Sequence, residues 1–445
     1  MRDRRLSRRL LLGSATASST LALGGCNFID DLLATSKDKL PGKRESIASL
    51  GSGNALEVTD KRAVVLPPAS ANADWPMAGG SPGHVGGHLA LPGASEAWNS
   101  SIGDKGGYRA RISTAPVVVG STVFAMDSDG AVSAYDAARG RRQWRRDTQA
   151  DDDRSTNVGG GVAVTGSTVY AATGRAELVA LDPANGAVRW RKPLGSPARS
   201  APTVADGRVL VITLDGRLVA FKENGDPLWS YQGVGQQTNL LGHAAPAFAE
   251  GLVVAGFESG ELVAVTADAG TLAWSDNLSS AAGRSSVLDL AAIRGLPVID
   301  RGRVYATGEG GTTASFDLRS GRRLWERTFG SSETPWLAGD WLFLQTVEQV
   351  LVAVHRDDGR VRWATELPRY NNPEKARDAI HWAGPVLAGG QLVLVSDNER
   401  MTTVDPASGK MLGGRDLSDA GLLTPVVAGN TMFVLTNDAE LTAYR

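Results

Sequence analysis

A tryptophan recurs along this chain at Trp144, Trp190, Trp229, Trp274, Trp325 and Trp363. Each follows a glycine by four residues: Gly140, Gly186, Gly225, Gly270, Gly321 and Gly359. The spacing between copies runs from 38 to 51 residues. A period of this size is the mark of a repeated supersecondary unit, in which each unit buries its apolar faces against its neighbours.

One unit shows what it builds. Val117-Val118-Val119, Thr122-Val123-Phe124-Ala125 and Val132-Ser133-Ala134-Tyr135-Asp136 are short apolar runs, and a fourth run carries Trp144. The breaks between them are turn chemistry: Asp129-Gly130 between the second and third runs, and Asp182-Pro183-Ala184-Asn185-Gly186 between the third and fourth of the next unit. Glycine supplies the positive φ that such turns need. Glycine is accordingly abundant, 53 of 445 residues, and no long apolar stripe of helical period occurs. The expected class is all-β, with four antiparallel strands per unit. That is a propeller blade, with an open β-solenoid as the rival architecture.

The ends of the array favour closure. The last copy runs through Met432-Phe433-Val434-Leu435 to Leu441-Thr442-Ala443-Tyr444 without a fourth strand. Glu96-Ala97-Trp98-Asn99 is a fourth strand with no blade before it. Pairing the two closes a ring of eight blades and removes the unpaired edge of an open array. Leu412-Gly413 stands in the seventh copy where a tryptophan is expected. The tryptophans, Trp98 included, are expected to pack between blades, each with one N–H to satisfy.

The N-terminus reads differently. Arg2, Arg4, Arg5, Arg8 and Arg9 precede an apolar and small-residue run from Leu10 to Leu23, then Gly24-Gly25-Cys26. This is the layout of an export signal. The run is too short for a comfortable membrane span. Cys26 is the only cysteine, so no intramolecular disulfide forms. Residues 1–25 are expected to be the signal, 26–72 a tether rich in charge, Pro and Gly, and 73–445 the propeller. The formal charge of −2 excludes a nucleic-acid partner recognised by bulk charge.

Leu23-Gly24-Gly25-Cys26 resembles the lipobox of bacterial lipoproteins, which implies cleavage before Cys26 and its acylation. Asn27 lies where those lipoproteins carry Asp for inner-membrane retention, so the resemblance implies the outer membrane. Ser7-Arg8-Arg9-Leu10-Leu11-Leu12 partly matches a twin-arginine export motif, leaving two export routes open.

The unit Ala180-Leu181-Asp182-Pro183-x-x-Gly186-x-x-x-Trp190 resembles the repeat of quinoprotein dehydrogenases. It also resembles that of the BamB family, lipoproteins of the outer-membrane β-barrel assembly machinery. Asp74-Trp75-Pro76-Met77 with Gly79-Gly80 looks like the opening segment of both. The similarity covers roughly residues 71–445, and Leu40-Pro41-Gly42-Lys43-Arg44-Glu45 looks like the segment before the propeller in alphaproteobacterial members. The BamB resemblance implies a non-catalytic scaffold on the periplasmic face of the outer membrane. Its partners would be the POTRA domains of the barrel-inserting subunit and unfolded barrel precursors. By order along the repeat, its two contact loops correspond to residues 236–243 and 288–295. The candidate contacts there are Thr238, Leu240, Leu241, Leu290, Ile293 and Arg294. Leu241 stands where an arginine is typical, and Ala292 and Arg294 where aspartates are, which implies a re-matched partner surface. For Leu290 and Ile293, burial under the blades is an equal expectation.

Two alternatives stay open: a quinone-dependent periplasmic dehydrogenase, or a periplasmic scaffold with another partner. The dehydrogenase would need a quinone, a metal held by carboxylate and amide oxygens, and an Asp base. Many members also carry an adjacent cysteine pair, absent here. No catalytic, cofactor or metal residue is assigned. His84 and His88 are separated by Gly86 and Gly87, so no helix aligns them as ligands. Asp151-Asp152-Asp153 reads as a solvated inter-blade loop.

Overall fold

The computed structural model describes residues 56–107, 111–150, 155–198, 200–234, 244–279 and 292–445. The signal, Cys26 and most of the tether lie outside them. The compact unit that carries the fold runs from Asn54 to Arg445.

Val117–Val119, Thr122–Met126, Val132–Asp136 and Arg142–Arg146 pair in that order as a four-stranded antiparallel sheet. Seven further sheets repeat it, opening at Gly160–Thr165, Thr203–Ala205, Ala247–Ala249, Val298–Asp300, Trp336–Ala338, Trp382–Ala388 and Val426–Ala428. These are blades 1 to 8 of a β-propeller. The fourth strand of blade 8 is Glu96–Ser101, paired antiparallel with Glu440–Tyr444, so the ring closes as the sequence predicts.

Middle strands such as Arg208–Ile212 and Arg217–Lys222 are almost continuously buried because neighbouring blades cover both faces. Outer strands such as Pro227–Gln232 are largely exposed, with only Trp229 and Tyr231 half-buried.

The tryptophans join blade to blade. The rings of Trp98, Trp144, Trp190, Trp229, Trp274, Trp325 and Trp363 lie against Gly140, Gly186, Gly225, Gly270, Gly321, Gly359 and Gly409 of the following blade. Six indole N–H groups donate to a carbonyl of the same turn: Trp98 to Ala137, Trp144 to Pro183, Trp229 to Ala267, Trp274 to Leu318, Trp325 to Arg356 and Trp363 to Pro406. The distances are 2.8–3.1 Å. Two residues on, Ser100, Arg146, Arg327 and Thr365 donate to the carbonyl of that glycine. A register shift beside each lock, as between Ala264 and Val265, twists the outer strand as a β-bulge does.

The seventh copy now has a physical reason. Gly413 pairs with Thr403, the place where the other blades set a tryptophan opposite Ala or Ser. Its lock would need the third-to-fourth turn of blade 8. That turn does not exist, because Glu440–Tyr444 and Glu96–Ser101 are joined by pairing and not by a hairpin. Arg415 instead lies over the Tyr444 ring, 5.2 Å from its centre.

A belt seals one end. Residues 72–89 bond in turn to the inner strands of blade 8 (Asn72 with Val427), blade 1 (Trp75 with Val118), blade 2 (Pro76 with Val164), blade 4 (Pro82 with Phe248), blade 5 (Gly83 with Ile299), blade 6 (Gly87 with Leu337) and blade 7 (Leu89 with Leu387). The packed unit also begins before the expected boundary at residue 73. Val58 bridges Val361 in the outer strand of blade 6, and Arg62 pairs with Asp60 and Asp358. A small hairpin, Tyr370–Asn372 with Arg377–Ala379, is inserted between blades 6 and 7; the sequence reading did not anticipate it.

Candidate partner-binding face

Antiparallel order gives the ring two unlike ends. The first-to-second hairpins and third-to-fourth turns share one end with the belt. The second-to-third hairpins and the long connections between blades share the other, the loop face. Loops on a rigid scaffold are where recognition residues collect.

The belt is pinned by its histidines. His84 Nδ1 lies 2.8 Å from the Pro297 carbonyl and His88 Nδ1 lies 2.7 Å from that of Pro67. A carbonyl cannot donate, so both Nδ1 atoms carry the proton. His88 Nε2 then accepts the N–H of Gly390. Burial pushes the His84 imidazole down to about 4, against the Pro297 bond that raises it. Trp75 stacks on Trp336 with centres 6.1 Å apart and planes within 4°.

Above this floor the axis holds a cavity of about 230 Å³, lined by Trp75, His84, Ser200, Arg294, Glu333 and Trp336 among others. Glu333 meets the Gly384 N–H at 3.3 Å and the Thr424 hydroxyl at 3.4 Å. Burial pushes its carboxyl above the ordinary carboxylate range, and Arg294 opposes that rise. Arg294 itself is partly exposed at the cavity mouth and paired with Glu309 at 3.1 Å.

The candidate contact residues separate on this frame. Thr238, Leu240, Leu241 and Leu290 lie outside the described residues. Arg294 is on the loop face and accessible. Ile293 is not: it is fully buried, its N–H bonds the Phe257 carbonyl, and its side chain fills the space above Gly256. Ile293 therefore takes the core alternative, and its side chain is corrected out of the contact set. Glu309 and Glu333 were missed, because the repeat pattern reports strands and says nothing of which acids the axis gathers.

Among the described residues no three His, Cys, Asp or Glu side chains are grouped to hold a metal ion.

The comparisons agree with the architecture. The model of the outer membrane protein assembly factor BamB matches residues 93–155, 128–365 and 369–445. The outer membrane protein assembly factor BamB of Yersinia pestis is 29% identical over 360 residues, 79% of this chain and 88% of that protein. The crystal structure of BamB from Moraxella catarrhalis superposes with a TM-score of 0.67 at 20% identity, covering 79% of this chain and 99% of that one. Quinohemoprotein alcohol dehydrogenase from Comamonas testosteroni gives 0.65 at 14% identity, covering 89% and 84%; this is a likeness of fold. Family match, blade count and ring closure together place this chain in the outer membrane protein assembly factor BamB family.

Proposed function

We propose that this chain is a non-catalytic accessory scaffold of the outer-membrane β-barrel assembly machinery. In this reading Cys26 is acylated and holds the protein at the periplasmic side of the outer membrane. The loop face docks on POTRA domains of the barrel-inserting subunit. The loops at residues 236–243 and 288–295 carry the contact, with Leu240, Leu241, Leu290 and Arg294 as contact residues and Thr238 beside them. The bound scaffold assists the folding and insertion of barrel precursors.

Arg294 is the observation that supports this most. It is a partly exposed cation on the loop face, immediately after the buried anchor Ile293, and its Glu309 pair is open to exchange with a partner carboxylate. A rim ion pair of this kind contributes little to stability, so it is free to serve recognition.

The test is co-purification of the tagged full-length lipoprotein from mildly solubilised membranes. Recovery of the barrel-inserting subunit, lost when Leu240, Leu241 and Arg294 are changed together, supports the reading. A preparation without that subunit but carrying bound quinone and calcium would replace it with the dehydrogenase.

A further inference from the structure

Blade 1 ends in Arg141-Arg142-Gln143-Trp144-Arg145-Arg146, preceded by Arg139 in its third-to-fourth turn. All five arginines are exposed. Arg145 is ion-paired, to Asp104 and Asp127. Arg139, Arg141, Arg142 and Arg146 have no carboxylate partner among the described residues. The two nearest acids in sequence are engaged with backbone: Asp136 accepts the N–H groups of Ala138 and Arg139, and Asp147 accepts that of Gln149. In a chain whose formal charge is −2, this edge is a local concentration of exposed guanidinium groups that no direct ion pair engages.

The architecture also fixes where the cluster faces. Arg139 and Arg141 belong to the turn at the belt end of blade 1. Arg146 reaches down to the Gly186 carbonyl, in the same turn of blade 2. That turn of blade 1 is held by blade 8 alone: Trp98 and Ser100 bond it, and Arg445 bonds the carbonyls of Ala137 and Ala138. The tether crosses this same end of the ring, over blade 6.

We propose that the belt-end edge of blade 1, with Arg139, Arg141, Arg142 and Arg146, is a docking surface for the anionic phospholipid headgroups of a membrane surface. Guanidinium groups match phosphate oxygens in paired hydrogen bonds, and several on a rigid turn meet headgroups with little ordering cost. Juxtamembrane cations of this kind each strengthen attraction to an anionic leaflet, and the attraction falls off within a Debye length. The belt end then faces the lipid, and the loop face with its axial cavity points away from it. The orientation rests on the proposed Cys26 anchor; the arginine edge stands without it.

The experiment is vesicle co-sedimentation of the signal-free chain from residue 26 onward carrying Cys26→Ser, which has neither the basic apolar signal nor an acylation site. Vesicles of phosphatidylcholine with about one quarter phosphatidylglycerol are compared with pure phosphatidylcholine. Binding to the anionic vesicles alone is expected, weakening as salt is raised. The triple variant Arg139→Gln, Arg141→Gln, Arg142→Gln is expected to lose roughly tenfold or more in binding. Arg146 is left in place because it also holds the blade 1–2 lock. Arg369→Gln, an exposed arginine in the loop-face connection between blades 6 and 7, serves as a control and should bind as the parent does. Equal binding to both vesicle types, no binding to either, or undiminished binding by the triple variant with its melting temperature unchanged would overturn the proposal. None of these outcomes bears on docking to the barrel-inserting subunit.

Discussion

Trp274 of blade 4 lies flat against the backbone of Gly321 in blade 5, so close that a methyl group on that glycine would sit 2.5 Å from the ring. The indole N–H donates to Leu318 in the same turn at 2.8 Å. Seven such contacts run round the ring. Each binds a fourth strand, the most exposed of its blade, to the next blade.

Two glycines of nearly equal φ separate sterics from strain. Gly321 and Gly302 lie at +70° and +71°, but a methyl at Gly302 meets nothing within 4 Å. Gly302→Ala is expected to cost about 1 kcal/mol, the left-handed penalty of an L-residue. Gly321→Ala adds the collision with Trp274 and is expected to cost at least about twice that. Thermal or denaturant unfolding of the two variants side by side is the check.

The blade locks were legible in the sequence because they repeat: Gly-x-x-x-Trp fixed the period, and the unpaired ends at Trp98 and Tyr444 showed closure. The gap at Gly413 was visible, but its cause lay in a turn that blade 8 does not have, which only the three-dimensional pairing reveals. The belt carried one partial signal, Asp74-Trp75-Pro76-Met77. Its circuit of the ring uses backbone bonds that place no demand on side-chain pattern. Ile293 was ambiguous for a similar reason: an apolar residue in a connection reads alike whether it faces a partner or fills the space above Gly256.

The belt should show itself in acid. His84 is neutral when folded and resists protonation until about pH 4, while in the unfolded chain it takes a proton near 6.5. The folded state therefore binds fewer protons in this window, and stability falls as pH drops through it, by about 3 kcal/mol. His84 also sits at φ +59°, which asparagine tolerates well. His84→Asn should flatten the stability profile between pH 6.5 and 4, measured by unfolding at a series of pH values. An unchanged slope would place the acid sensitivity elsewhere.

Glu333 acts with the opposite sign. Its carboxyl holds its proton to higher pH in the folded chain than in the unfolded one. Stability is then lost as pH rises from the ordinary carboxylate range through the raised value. Glu333→Gln should be more stable than the parent at pH 8, with the difference vanishing near pH 4. Unfolding midpoints at those two pH values decide it.

Trp75 and Trp336 join the belt to blade 6 by a stacked pair, and the Trp336 N–H also bonds the Gly87 carbonyl. Single replacements by Ala should each cost about 3–5 kcal/mol. The double variant should cost less than their sum by roughly 1 kcal/mol, the coupling of an aromatic pair. Additive losses would mean that the rings share a site without supporting one another.

Which face meets the partner is the centre of the account, and site-specific photocrosslinking in intact cells reads it directly. A photoreactive residue in place of Arg294 reports the loop face; one in place of Ser121, in a blade 1 hairpin, reports the belt end. The account predicts a crosslink to the barrel-inserting subunit from position 294 and none from position 121. Crosslinks from position 121 alone would contradict it.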